Sequence, residues 1–189
     1  GADSEAGPGV VSDGSNVVVA AVGNLRLDNG DSAGAIELAS TAGNLFSDGT
    51  LQAATSIEAV APGEIDINDA DAGTDISVDA GADADFGALV ADGSIEVTAD
   101  NIVGESAIAG RDVTLDTSAG GGAISIAFAQ AGDDVRATAA TTFAADEVRT
   151  TGLGVDNELA QGGPGVGSNI LVSATGDIRL AVADAAGAV

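Results

Sequence analysis

The side chains with most chemistry to offer in this chain are carboxylates. Seven of them fall close together: Asp66, Asp69, Asp71, Asp75, Asp79, Asp83 and Asp85. Clustered carboxylates and turn carbonyls suit Ca2+, which takes about six to eight oxygen ligands. The spacing is not that of an EF-hand, since counted from Asp69 the glycine at Gly73 comes one place early. Two readings follow. In the first the residues are a solvated row of turn aspartates, and in the second they bind Ca2+ weakly and screen the like charges of neighbouring turns. The first is favoured, and Ca2+ is the only cofactor the chain suggests.

A second pair, Asp133 and Asp134, has the look of the two acids of a glycosidase. Such enzymes also need His, Lys or aromatic platforms for sugar, and the chain has no His, Tyr or Trp, and its five basic residues are all Arg. The pair therefore reads as a turn. Without Cys or His there is no ordinary zinc site and no base to activate a Ser or Thr nucleophile. The glycine run 120–122 is followed by no Lys and lies in a negative field, which argues against a phosphate cradle. The expectation is a protein that is not an enzyme.

The elements that must position these acids are short strands. Among 30 acidic residues Asp outnumbers Glu by 22 to 8, and Asp is a turn former. A net charge of −25 repels nucleic acid and anionic membranes. No run of apolar residues is long enough for a membrane span. Aromatics are limited to Phe46, Phe86, Phe128 and Phe143, so the core must be aliphatic and thin. High charge with few aromatics also marks disorder, but the aliphatic residues are too regularly spaced for that.

A motif of Gly or Asp, any residue, aliphatic, polar, aliphatic recurs, as in Gly23-Asn-Leu25-Arg-Leu27, Gly63-Glu-Ile65-Asp-Ile67 and Gly93-Ser-Ile95-Glu-Val97. Each copy alternates with period two, as a half-buried strand does. The copies resolve into two ladders with a step of about 20 residues, the length of one solenoid coil. One ladder runs Leu25, Leu45, Ile65, Phe86, a disturbed step near Ile108, then Ile124 and Phe143. The other runs Ile36, Ile57, Ile76, Ile95, Val113 and Val135. The fold expected is all-β, a right-handed parallel β-helix (β-solenoid); tandem β-sandwiches are the alternative.

A longer repeat lies over this one. Gly14-Ser-Asn16-Val17-Val18-Val19 matches Gly167-Ser-Asn169-Ile170-Leu171-Val172, and Gly23-Asn-Leu25-Arg-Leu27 matches Gly176-Asp-Ile178-Arg-Leu180, each 153 residues apart. The chain therefore divides into an inter-repeat loop or coil entry (1–14), a β-helix unit (15–151), a Gly- and Pro-rich protruding loop (152–168) and the start of the next unit (169–189). A period of 153 residues corresponds to seven or eight coils, or roughly 33–38 Å of rise at about 4.8 Å per rung. Like elements at both ends make Val17, Val18, Val19, Ile170, Leu171 and Val172 candidates for self-association. Arg26 and Arg179, which occupy the same place in the two copies, join them either as bridges to nearby carboxylates or as inter-chain contacts.

The strand style of residues 93–101, 111–120 and 176–187 resembles the β-helical shafts of filamentous-haemagglutinin-like adhesins and other giant bacterial surface proteins. The resemblance covers roughly residues 15–150 and 167–184. The N-terminal secretion-domain motif of such proteins is not recognisable, and the Gly-Gly-x-Gly-x-Asp calcium repeat is absent. The resemblance implies a secreted, cell-surface structural segment that stacks on itself into a filament or stalk. An alternative is an adhesin or carbohydrate-binding module that reads a glycan or another cell surface through loop 152–168. A polysaccharide lyase or hydrolase comes third.

Overall fold

The computed structural model describes residues 15–154, 168–187 and 189. All secondary structure among them is β, and every strand pairs parallel to its neighbours. The chain winds as a parallel β-solenoid with a short strand and a long strand in each coil.

The short strands are β1 (Val17–Ala21), β4 (Ile36–Ser40), β6 (Ile57–Ala61), β8 (Ile76–Ala80), β10 (Ile95–Thr98), β12 (Val113–Asp116), β14 (Val135–Ala139) and β16 (Ile170–Ala174). They form sheet A in that order. The long strands are β5 (Leu45–Ala53), β7 (Ile65–Ala72), β9 (Asp83–Ala91), β11 (Asn101–Ala109), β13 (Ile124–Ala131), β15 (Phe143–Thr150) and β17 (Ile178–Asp184). They form sheet B, begun by the broken pair β2 (Leu25–Leu27) and β3 (Gly30–Ser32), both of which pair with β5. Each sheet thus has eight rungs, separated by seven turns of the coil.

Burial explains the long strand. In β7 the buried residues are Ile65 and Ile67, then Ala70 and Ala72. Strict alternation would bury position 69 and not 70. The parity breaks in the same place in β9, β13 and β15. The break is a corner, so each coil has three faces enclosing one narrow core. In β5 the corner carries an extra residue, and the register slips between Ser47 and Thr50.

The sheet A ladder is as the sequence implies. Val17, Ile36, Ile57, Ile76, Ile95, Val113, Val135 and Ile170 stand in register through all eight rungs. The sheet B ladder differs at two steps. Ile65 pairs with Ala84, while Phe86 stands one inward position further on, over Ile67. Ile102 continues the column, whereas Ile108 pairs with Val90 and Gln130 and is not among the buried core. Phe86 fits because its inward neighbour on the next rung is Gly104; a Cβ there would lie 2.2 Å from the ring.

Between strands the chain turns on Asn and Asp. At the corner before sheet A, Asn16 Oδ1 accepts from Ala35 N at 2.9 Å and Asp75 Oδ1 accepts from Ser94 N at 2.8 Å. At the corner before sheet B, Asn24 accepts from Asn44 N, Asn44 from Glu64 N and Asn101 from Ala123 N, at 3.0–3.2 Å. In each case the side chain of one rung takes the N–H of the next, so rung-to-rung hydrogen bonding continues where the ladder would lapse. A carboxylate or amide one methylene from the backbone makes this reach, which accounts for the excess of Asp over Glu. The same contact accounts for glycine at the head of the strand motif: a Cβ on Gly63 would lie 2.1 Å from Asn44 Oδ1.

Candidate functional site

The seven clustered aspartates are spread around the coil. Asp66 and Asp85 point outward from adjacent rungs of sheet B and are register partners. Asp69 is at the mid-strand corner, where it accepts from Ala88 N. Asp71 faces outward further along β7, and Asp79 faces outward from sheet A. Asp75 is a corner residue and also binds Arg111 at 2.9 Å. Asp83 accepts from the Asn101 amide at 2.7 Å. Asp66 and Asp85 are thus brought together, and the others serve separate corners and faces.

The Asp66 side chain is exposed, yet its pKa is raised. Partial desolvation by the neighbouring strands is the largest cause, followed by the like charges of Asp85 and then Asp48, with Arg26 opposing. Arg26 is held by Asp48 on the next rung through two hydrogen bonds of 2.8 Å.

A tighter group lies at the corner before β12 and β14. Asp112, Asp133 and Asp134 are 7%, 3% and 2% exposed, and each offers a carboxylate oxygen within 4.8 Å of the others. Among the described residues no other group of three acids is so close. Asp112 and Asp134 occupy the corner position on successive rungs, and Asp112 Oδ1 accepts from Asp134 N at 3.2 Å. Asp134 in turn accepts from Asn169 N at 2.6 Å and from Arg136 Nη2 at 2.5 Å. Ser168 Oγ lies 3.4 Å from Asp133 Oδ1. The turn is covered by the next one, since Thr151 N and Gly154 N donate to Ala131 O and Gly132 O.

The acids are therefore buried beneath residues 151–154 and beside Ser168 and Asn169. The Arg136 guanidinium and backbone N–H groups bond the carboxylate oxygens there, as burial requires. Three such oxygens are also donors a hard cation accepts. The sequence picks out Asp133 and Asp134 as a pair in a turn, and the structure adds their burial. Asp112 escapes a linear reading because it is 21 residues from Asp133 and joins it only through coil stacking. Its signal is its place, one coil before Asp134 and directly ahead of an inward Val.

The residues singled out for self-association lie at the two ends of the described solenoid. Val17, Val18 and Val19 belong to β1 and Ile170, Leu171 and Val172 to β16, the terminal strands of sheet A. Arg26 and Arg179 face outward from β2 and β17, the terminal strands of sheet B. The inward residues Val17, Val19, Leu27, Val172 and Leu180 are only partly buried against the core. Ile178, in register with buried Phe143, is 48% exposed. Of the segment 152–168, expected to form a loop, residues 155–167 lie outside the described residues, as do residues 1–14.

No helix among the described residues is long and apolar enough to cross a membrane. Comparison with known proteins returns no match to a family model, a curated protein or a solved structure.

Proposed function

We propose that this chain is a structural segment of an extracellular bacterial surface protein or fibre, a rod whose units follow one another end to end. The observation that carries the reading is the phase of the 153-residue repeat. From Val17 to Ile170 the sheet A column advances in seven steps, of 19, 21, 19, 19, 18, 22 and 35 residues. The long last step absorbs the inserted segment. The repeat therefore returns to the same point of the coil, with Val17 and Ile170 in one column and Leu25 and Ile178 in another. A sequence period that equals a whole number of coils lets the next unit continue the same core.

Solenoids supply length cheaply in sequence, since each coil touches only its neighbours. The surface location rests on the likeness of the strand motifs to adhesin shafts. Electron microscopy of the purified chain tests the reading. Filaments with an axial repeat of roughly 34–38 Å, seven to eight rungs at the strand spacing, are expected. Single compact particles at high concentration would contradict it.

A further inference from the structure

Resting on that reading, the geometry points to the way two copies join: the last coil of one copy, β16–β17, replaces the first coil of the next, β1–β3, beneath β4 and β5. The observation is one of sequence and placement together. Residues 14–36 and 167–189 align without a gap and are identical at 12 of 23 positions. The last coil is thus a second edition of the first. Val189, which corresponds to Ile36, lies in one groove with Ile170, Leu171 and Val172.

Charge distinguishes this exchange from simple stacking of β1 on β16. In simple stacking, like lies over like: Arg26 would stand directly over Arg179 and Asp31 over Asp184. In the exchange, Arg179 takes the position of Arg26 beneath the next copy's Asp48, to which Arg26 binds through two 2.8 Å hydrogen bonds. Asp184 takes the position of Asp31 and meets the neutral Gln52. Within its own chain Arg179 has Asp177 at 3.3 Å, with both side chains largely exposed. At the heads of β1 and β2 the inward residues match as well, for Ile170 replaces Val17 over Ile36 and Ile178 replaces Leu25 over Leu45. Three contacts favour simple stacking: Leu171 would lie over Val18, Ala183 in the exchange brings a Cβ to the place of Gly30, 3.1 Å from Leu51 Cδ2, and Val182 replaces Asn29, whose Oδ1 accepts from Thr50 N at 3.0 Å. The contacts that β1–β3 gives up to β4 and β5 are remade there by β16–β17 of the neighbouring copy.

The chain has no Cys, so introduced pairs can be read without background. Leu171 and Val18 are exposed, Glu37 faces outward from β4, and Val18 pairs with Glu37 within the chain. Neighbouring parallel strands at about 4.8 Å are within disulfide reach. Under oxidation the double variant L171C with E37C is expected to give covalent multimers, with a filament repeat of about 34 Å, seven rungs per copy. Multimers from L171C with V18C and a repeat of about 38 Å, eight rungs, would overturn the exchange and leave the rod intact. Absence of both multimers and filaments would overturn both. Independently of the cysteines, R179D is expected to lower assembly at least tenfold by sedimentation and to regain it when mixed with D48R. Assembly unchanged by R179D would also overturn the exchange.

Discussion

Sheet A and sheet B enclose the same core by different means. Sheet A carries one column of β-branched residues, Ile36 to Val135, with little change from rung to rung, and such side chains suit a pleated surface. Sheet B bends in mid-strand and varies its inward residues. Its second column runs Leu27, Ser47, Ile67, Phe86, Gly104, Ile126, Ala145 and Leu180, a large ring set beside a residue with no side chain. The first column of sheet A is built by repetition, and the second column of sheet B by compensation between neighbours such as Phe86 and Gly104. A substitution in sheet A should then act alone, whereas one in sheet B should depend on what stands next to it.

The largest effect expected is in sheet A. Ile76→Ala removes a fully buried side chain between Ile57 and Ile95, and should cost about 2–5 kcal/mol in urea unfolding. Ile76→Val should cost roughly 0.5–1.5 kcal/mol. Equal losses for the two would break the picture of a close-packed column.

Gly104→Ala tests sheet B. The new methyl meets the Phe86 ring, and about 1–3 kcal/mol of overpacking is expected. In a Phe86→Leu background the same change should be nearly neutral or favourable, a non-additivity read directly by a double-mutant cycle. Additive losses would remove the idea of compensation.

The corners that join the sheets should matter less than either column. Asn44→Ala removes the acceptor for Glu64 N and should cost about 1 kcal/mol, while Asn44→Asp keeps the acceptor and should cost less.

The smallest effect is electrostatic. The Asp66 carboxyl is raised in the folded protein, so folding is opposed by its ionised form. The penalty is absent below the unfolded pKa, where both states are protonated, and is complete above the folded pKa. Asp66→Asn should therefore stabilise the protein at neutral pH by less than about 1 kcal/mol, because the group is exposed and screened by water. The gain should fade as the pH drops through the carboxylate range, and a gain independent of pH would point to another cause.

The difference between the sheets also decided how much could be read from the chain. In the first column of sheet A the inward residue is always Val or Ile, so that column is visible as spacing alone. In sheet B the inward position of the fourth coil is Ala84, which carries no hydrophobic signal, and the adjacent Phe86 draws the assignment to itself. Ile108 misleads in the same way, since β11 buries Ile102 and Ala107 and carries Ile108 between inward positions. The mid-strand corner is equally hidden, for the inward residues that flank it, such as Ile67 and Ala70 or Phe86 and Leu89, change from rung to rung and leave no pattern. At the acidic corner, two neighbouring aspartates are legible as a pair, but the third arrives from the preceding coil. Burial by the returning chain is a property of stacking that composition does not encode.

In a stacked-coil rod the rungs succeed one another at a constant interval along one axis. Pulsed electron spin resonance on the cysteine-free chain measures this directly, with one nitroxide at Glu37 and a second at Thr114, Arg136 or Leu171 in turn, all in one column across sheet A. These are four, five and six rungs apart, so backbone separations of about 19, 24 and 29 Å are expected. Distances that fail to lengthen by one strand spacing at each step would contradict the stacked-coil rod.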